Sequence, residues 1–324
     1  SKTYLRKVCE REIPRLYGET SEELGALARG MLAKAETIDL DVHAVDIVGT
    51  GGDQQNTVNI STMAALVIAG TGATVVKHGN RASTSKSGSA DVLEALGIQL
   101  DMPIKSVAAC ARQVGITFLF AMTFHPSMRF VGPTRKMLGI PTAFNYLGPM
   151  TNPARVSSSA IGVANPQMVE KMAWVFANRG DHALVFRGDD GLDELTIATT
   201  SQIWEASGGT LQKYVFNPEG YGIERSSLDN LRGGDAEYNA SVFRAVLAGE
   251  GESAKDSLHA IRNAVLINAA AGLIAYRKND GRSFEERYTE ALADARQSID
   301  TGAAAQVLNA WVEFSHLVVE TPSP

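Results

Sequence analysis

The chain has 324 residues, of which 44% are hydrophobic, and its formal net charge is −6. This length allows a large hydrophobic core and exceeds the usual size of one domain, and the composition argues against intrinsic disorder. The acidic balance gives no general attraction to nucleic acid. We therefore expect no nucleic-acid partner and only local phosphate binding.

Cysteine content and hydropathy indicate the cellular compartment of the protein. Cys9 and Cys110 are the only cysteines, too few for a disulfide framework or a cysteine-based zinc site. The apolar segments 63–69 and 265–275 are shorter than a membrane-spanning helix requires, and the charged N-terminal stretch lacks the apolar core of a signal peptide. These features predict a cytoplasmic protein with no membrane partner.

Short apolar runs alternate with helical patterns along much of the chain. Thr20 and Glu23 have the spacing of a capping box at the start of the first helix. Strands are predicted at residues 45–48, 73–76, 116–121, 183–186, 202–204 and 211–216. Further helices are predicted at residues 62–69, 91–96, 125–139 and 166–180 and from residue 236 onward.

Alternating strands and helices predict an α/β fold with a mainly parallel sheet covered by helices on both faces. Pro133 marks a start or a kink in the helix predicted at 125–139, and residues 145–153, rich in Gly, Pro and Asn, predict a loop or hinge. Binding sites in such sheets lie at the carboxyl ends of the strands, and the polar loops of this chain follow predicted strands.

The first strand ends in Gly49-Thr-Gly-Gly-Asp53, and Asn59-Ile-Ser-Thr62 opens the next helix. Glycines let the backbone approach a ligand, and the unpaired N–H groups of a helix's first turn bind anions. The spacing matches neither the dinucleotide fingerprint nor a Walker A loop, so a plain strand-to-helix turn is the alternative. The polar groups of residues 59–62 cap the helix, bind phosphate, or do both.

A second polar loop spans residues 77–89. Lys77, Arg81 and Lys86 supply cations, and several serine and threonine hydroxyls lie between them, a mixture that suits phosphate. The alternative is a solvated, mobile loop. Two such loops close together indicate a ligand with phosphates at both ends.

Four acids, Asp189, Asp190, Asp193 and Glu194, follow the strand at 183–186. Adjacent carboxylates beside a phosphate site suit Mg²⁺, and we expect Asp189 and Asp190 to shape the turn instead. In the middle helix, Arg129 and Arg135 either face solvent or one of them binds a carboxylate in bidentate fashion.

These motifs, in this order, resemble the anthranilate phosphoribosyltransferase family. The resemblance runs from about residue 46 to residue 276 and includes Phe144-Asn-Tyr-Leu-Gly-Pro-Met-Thr-Asn-Pro-Ala-Arg155, but it does not extend to residues 1–16. It implies the fold of pyrimidine nucleoside phosphorylases, usually in a homodimer. In that fold a small helical domain, here 1–44 with a second part at about 105–140, is hinged to a larger α/β domain, here 45–104 and 141–324.

The resemblance implies transfer of phosphoribose from phosphoribosyl pyrophosphate to the amine of anthranilate, with release of pyrophosphate, in tryptophan biosynthesis. It implies that the donor is bound by Gly49, Gly52, Asp53, Thr57, Asn59, Ile60, Ser61, Thr62, Lys77, His78, Gly79, Asn80, Arg81, Ser83, Thr84, Ser85 and Ser89. Gly49, Asn80 and Arg135 would meet anthranilate, with Arg135 pairing its carboxylate. Ser61, Asp193 and Glu194 would bind Mg²⁺, the implied cofactor.

Loss of pyrophosphate from the ribose leaves oxocarbenium character, so Mg²⁺ and cations are expected to stabilise the leaving group. A weakly basic aromatic amine can attack before it loses its proton, so we expect no indispensable general base; His78 is the one candidate. The alternatives are a nucleoside phosphorylase of the same fold and a non-catalytic ligand-binding relative. The acid pair argues against the phosphorylase, because phosphorolysis needs no pyrophosphate-bound Mg²⁺.

Overall fold

The computed structural model describes residues 18–82, 86–251, 256–277 and 279–319. Seven strands form one sheet: β1 (Val45–Gly49), β2 (Val75–Gly79), β3 (Ile116–Phe120), β4 (Ser158–Gly162), β5 (His182–Gly188), β6 (Ser201–Ser207) and β7 (Thr210–Phe216). The helices before β4 are α1 (Ser21–Leu32), α2 (Ile60–Gly70), α3 (Ser89–Ala95), α4 (Ile104–Val114), α5 (Ala121–Phe124), α6 (Met128–Leu138) and α7 (Phe144–Leu147). Those after it are α8 (Pro166–Arg179), α9 (Ala236–Leu247), α10 (Ser257–Tyr276), α11 (Phe284–Asp300) and α12 (Ala303–Val319).

The strand order is β3-β2-β1-β4-β5-β6-β7. The first five strands are parallel, and β6 and β7 complete the sheet as antiparallel neighbours. Gly49 pairs with Gly162 at the carboxyl ends of β1 and β4. The predicted α/β class is confirmed, and the parallel order brings the loops after β1, β2, β4 and β5 to one edge.

Neighbouring strand residues face opposite layers of the core, as the two-residue period of a strand requires. Ile47 and Leu184 belong to the larger cluster with α2 and α10, whereas Val185 packs on the other face with α8 and α1. Thr20 and Glu23 form the expected capping box on α1. Gly180 ends α8 in a left-handed conformation.

Helix α10 corrects one expectation. Its 20 residues are apolar and long enough to cross a membrane, whereas the sequence interpretation counted only residues 265–275. Most of the helix is buried inside the protein, where it contacts α2 and α11. A core helix of a large domain passes the same length test, so α10 carries no membrane assignment.

Two other local expectations were wrong. β2 extends to Gly79, so Lys77 and His78 are buried strand residues and not part of a loop. Residues 145–153 are not an open loop: α7 and a 3₁₀ turn at Gly148–Met150 cover most of them and bury Tyr146 and Leu147. Apolar contacts with α8 and α1 order this segment despite its glycine and proline content.

The division predicted for residues 105–140 is also wrong in part. β3 is a strand of the sheet, paired with β2 along its whole length, and α4 packs against β3 and α12. Residues 104–120 therefore belong to the α/β body, because β3 extends its hydrogen-bonded ladder. The remaining division into domains stays a prediction.

A buried ion pair joins the sheet to α11. Arg287 donates to both carboxylate oxygens of Glu205 at 2.7 and 2.8 Å, and His182 lies 3.0 Å from the same carboxylate. Burial alone raises the pKa of Glu205, but the hydrogen bonds from Arg287 and His182 outweigh it and lower the pKa to about 2.

We expect Glu205→Gln to destabilise the protein by about 3–5 kcal/mol at pH 7, because Arg287 is left buried without a counter-charge. A lowered pKa gives stability that is full above the usual value of 4.5 and is lost as pH falls towards about 2. Urea unfolding at pH 7 and pH 3 measures both effects.

The matched control is Glu170→Gln, which removes an exposed ion pair with Lys213. It should cost less than about 1 kcal/mol. Equal losses in the two variants would contradict the buried-pair interpretation.

Candidate functional site

The carboxyl ends of β1 and β4, at Gly49 and Gly162, leave no room for a side chain. A Cβ on Gly49 would lie 2.2 Å from Asp193 Oδ2, and one on Gly162 would lie 1.7 Å from the Asp193 carbonyl oxygen. Several residues of the glycine turn have positive φ: the angle is 70° at Gly51 and 61° at Gln54. The backbone of β1 and β4 therefore comes into direct contact with residues 189–194, the acidic loop that follows β5.

Asp193 and Glu194, the last two acids of the acidic loop, are buried among backbone N–H donors. The N–H of Gly51 donates to Asp193 Oδ2 at 2.7 Å, and the N–H of Ser61, in the first turn of α2, donates to Glu194. Burial, followed by the charge of Asp53, raises the pKa of Asp193 to about 7. Burial and the charge of Asp193 raise the pKa of Glu194 as well. Two buried acids side by side favour the binding of a cation, because its charge offsets theirs.

Lys77 lies beneath the first turn of α2. Its Nζ donates to the carbonyl of Ile47 and, at 3.3 Å, to the hydroxyl of Ser61. Burial lowers the pKa of Lys77, and the charges of Asp46 and Glu194 oppose that shift. The lysine thus joins β1, α2 and the acidic loop.

Asp46 and Asn152 are site-supporting residues that the sequence analysis missed. Asp46 Oδ1 accepts the N–H of His78 at 3.1 Å, and Oδ2 accepts Asn152 Nδ2 at 2.9 Å. Asn152 also donates to the carbonyl of Val76 at 2.8 Å. Burial raises the pKa of Asp46 to about 6, and Lys77 opposes that rise. An acid inside an apolar strand was the available signal, since unpaired acids are almost never fully buried.

His78 is held as a neutral imidazole. Its Nδ1 lies 3.0 Å from the carbonyl of Gly148, so Nδ1 carries the proton, and Nε2 is buried without a hydrogen-bond partner among the described residues. Burial, followed by the nearby His125, lowers its pKa to about 3. A nitrogen with so low a pKa is a poor proton acceptor, which agrees with the expectation of no strong general base.

The second polar loop begins after β2, at Asn80. The Asn80 side chain accepts the N–H of Arg81, and Arg81 forms ion pairs with Asp91 at 3.2 Å and Glu94 at 2.5 Å. These acids raise the pKa of Arg81. Its guanidinium therefore has protein partners on α3. Ser83, Thr84 and Ser85 lie outside the described residues.

Asn59 and Thr62, also predicted to bind the phosphoribosyl donor, form hydrogen bonds within the protein. Asn59 is the N-cap residue of α2, but its side chain makes no capping hydrogen bond. It donates instead to the carbonyl of Ser87 at 3.1 Å and accepts Asn239 at 2.9 Å. Thr62 donates to Ser89 at 3.0 Å. These contacts join α2 to the loop that opens α3. Two further residues predicted to bind the phosphoribosyl donor have structural roles. Ile60 is part of the hydrophobic core, and Thr57 forms a β-bridge with Arg232.

Arg135 projects from α6, which continues through Pro133. Its guanidinium lies 3.4 Å from Asn145 Oδ1 and 5.7 Å from the centre of the Phe144 ring.

As expected, Asp189 and Asp190 are loop-shaping residues that accept the hydroxyls of Thr200 and Thr196.

The donor set around the acid pair fits Mg²⁺. Within the described part of the chain, no group of three or more His, Cys, Asp or Glu side chains is arranged to hold a metal ion. Ser61, Asp193 and Glu194 offer oxygen ligands only, two of them buried acids. Mg²⁺ suits such a set, because it binds few protein carboxylates and keeps water and substrate phosphate as its other ligands.

The fold and this site define a glycosyl-transferring class of protein. The family model described as "Glycosyl transferase family, a/b domain" matches residues 41–305. Anthranilate phosphoribosyltransferase of Arthrobacter sp. (strain FB24) is 55% identical over 298 residues, which are 92% of this chain and 83% of that relative. The chain belongs to the anthranilate phosphoribosyltransferase family.

Solved structures agree. The anthranilate phosphoribosyltransferase of Thermus thermophilus superimposes with a TM-score of 0.85 at 38% identity, over 98% of this chain and 91% of that one. The Saccharomyces cerevisiae enzyme in complex with PRPP and Mg gives 0.81 at 30% identity, over 92% and 80%.

Proposed function

We propose that the chain transfers phosphoribose from phosphoribosyl pyrophosphate to the amine of anthranilate, a step of tryptophan biosynthesis. The observation that carries this proposal is the buried Asp193–Glu194 pair, which contacts both the glycine turn and the first turn of α2. A phosphorylase has no need of this pair. The yeast relative with PRPP and Mg bound supports the same donor.

In the transfer, the anthranilate nitrogen forms a bond to C1 of the ribose, and the bond from C1 to the pyrophosphate oxygen breaks with its electron pair leaving on that oxygen. The amine proton then passes to solvent. Mg²⁺, when held by Ser61, Asp193 and Glu194, neutralises charge on the pyrophosphate. The glycine turn and the residues around α2 position the donor, so positioning and leaving-group electrostatics supply most of the catalysis.

Arg135 is proposed to bind the anthranilate carboxylate, with Gly49 and Asn80 beside it. We expect Arg135→Ala to raise the KM for anthranilate by about tenfold or more, because a charge-assisted bidentate contact is lost. The KM for the donor should change little. Steady-state kinetics with each substrate varied in turn measures both, and a defect confined to the donor would contradict this role.

The proposed function is tested by incubating the protein with phosphoribosyl pyrophosphate, Mg²⁺ and anthranilate while anthranilate fluorescence is followed. Loss of fluorescence with equimolar pyrophosphate release supports the proposal. Turnover with another aromatic amine alone would keep the transferase and discard the acceptor. Phosphate-dependent cleavage of a nucleoside without Mg²⁺ would replace the proposal with the phosphorylase.

We also propose a homodimer in the cytoplasm. Leu27 on α1 and Phe130 and Met137 on α6 are large apolar side chains exposed to solvent, which supports a contact with a second copy. The two cysteines of the chain, with the Cys110 thiol buried, suit a reducing compartment. Light scattering after gel filtration measures the mass of the assembly.

A further inference from the structure

A cavity of about 440 Å³ opens near the amino ends of β4 and β5, at the opposite edge of the sheet from the glycine turn. Ser159 of β4 and Asp181, the residue before β5, form part of its wall. Its volume lies within the range of small-molecule sites, about 300–1,000 Å³. Of the residues predicted to bind the phosphoribosyl donor, the acceptor or the metal, none that the structure describes lines it.

Three arginines, Arg29, Arg155 and Arg179, line this cavity. Arg179 is fixed in place, since it donates to the carbonyl of Met150 at 2.7 Å and to Asp181 at 2.8 Å. Arg29 and Arg155 form no ion pair with any acid in the part of the chain that the structure describes. Positive charge therefore exceeds negative charge in the cavity.

Arg155 is held at the cavity in an unusual backbone conformation. Its φ is +51°, a left-handed value that costs free energy for a residue with a side chain. A turn maintains it: the N–H of Arg155 donates to the carbonyl of Asn152 at 2.9 Å, and the Asn152 side chain accepts the N–H of Ala154 at 2.9 Å. Asn152 is itself buried and bonded to Asp46, so the turn has a rigid base.

Apart from Asn152, the rest of the lining is apolar: Leu32, Ala33, Pro149, Met150 and Val156. We propose that this cavity is a second ligand site, which binds a small organic carboxylate with an apolar body. The guanidinium groups of Arg29 and Arg155 pair with the carboxylate, and the apolar wall covers the body of the ligand. Asp181 disfavours a doubly charged phosphate more than a singly charged carboxylate.

Calorimetric titration with naphthalene-2-carboxylate tests the site, with naphthalene-2-carboxamide as the uncharged control. We expect binding to the unmodified protein and to Arg135→Ala, and Kd weaker by about tenfold or more in an Arg29→Ala/Arg155→Ala double variant. Arg112→Ala is the matched control, because Arg112 is also an exposed arginine in the last turn of a helix. It should bind like the unmodified protein.

Absence of binding to the unmodified protein, or an equal Kd in the double variant, would overturn the proposal. Loss of binding in Arg135→Ala would place the probe in the acceptor site instead. Equal binding of the carboxamide would remove the role of charge, and tighter binding of 2-naphthyl phosphate would contradict the carboxylate class. Turnover of phosphoribosyl pyrophosphate and anthranilate should persist in the double variant, so a failure of this site is distinguishable from a failure of the proposed function.

Discussion

Replacing Glu194 with glutamine is expected to lower Mg²⁺-dependent turnover by about 100-fold or more, the order of loss seen when one electrostatic stabiliser of a transition state is removed. Glutamine keeps the size of the side chain and can still accept the N–H of Ser61. The negative charge that would hold Mg²⁺ against the pyrophosphate is lost. Asp193→Asn should act in the same direction. Turnover measured across a range of Mg²⁺ concentrations checks both.

The fold is not expected to weaken in Glu194→Gln, because Asp46 remains as the larger counter-charge of Lys77. Burial raises the pKa of Glu194, so the folded protein without metal favours an uncharged side chain there. Loss of turnover with unchanged or increased thermal stability would therefore identify a role of charge. Asp189→Asn is the control, because Asp189 belongs to the same loop but accepts Thr200. Unchanged Mg²⁺ dependence in both Asp193→Asn and Glu194→Gln would rule out the metal assignment.

Adding one methyl group at Gly162 is expected to reduce both stability and turnover. The new Cβ would lie 1.7 Å from the backbone oxygen of Asp193 and 2.4 Å from its carbon. Backbone atoms cannot rotate away, so the whole acidic loop must move. We expect a cost of about 1–3 kcal/mol or more from overpacking. Displacement of the carboxylates should lower turnover by about 100-fold.

Gly49→Ala provides a graded comparison. There the obstructing atom is Asp193 Oδ2, at 2.2 Å, and a side chain can rotate. Stability should fall less than in Gly162→Ala, although the carboxylate is still displaced. Gly30→Ala is the control: no atom of the described residues lies within 4 Å of the new Cβ, and Gly30 is inside α1. It should raise stability by about 0.4–1 kcal/mol. Urea unfolding and turnover of all three variants measure the order, and equal effects would contradict it.

Local signals predicted much of the framework. The capping box at Thr20, the helix between Pro166 and Gly180 and the glycine turn after β1 each depend on residues close together in the chain. Backbone conformation and capping are short-range effects, so they can be read from neighbouring residues. The turn-forming roles of Asp189 and Asp190 were predictable for the same reason.

Long-range partners were not predictable. Lys77 was expected in a polar loop that binds phosphate, with a solvated, mobile loop as the alternative. In the folded protein it is buried beside Asp46, Ser61 and Glu194, and Asp46 is the larger of its two counter-charges. Arg81 was expected to be available to phosphate, and two acids of α3 hold it. In both cases a charged group's environment depends on residues that only the packed chain brings near it.

The sequence by itself determined the α/β class, the turn at Gly49 and the identity of the acids that follow β5. Each is a property of a short segment or of the periodicity of apolar residues. Only the tertiary structure decided that β3 belongs to the sheet and that Gly162 must lack a side chain. It also decided that Asp193 lies against the glycine turn and Glu194 against the first turn of α2. Those outcomes depend on strand order and close packing, which bring together residues far apart in the chain.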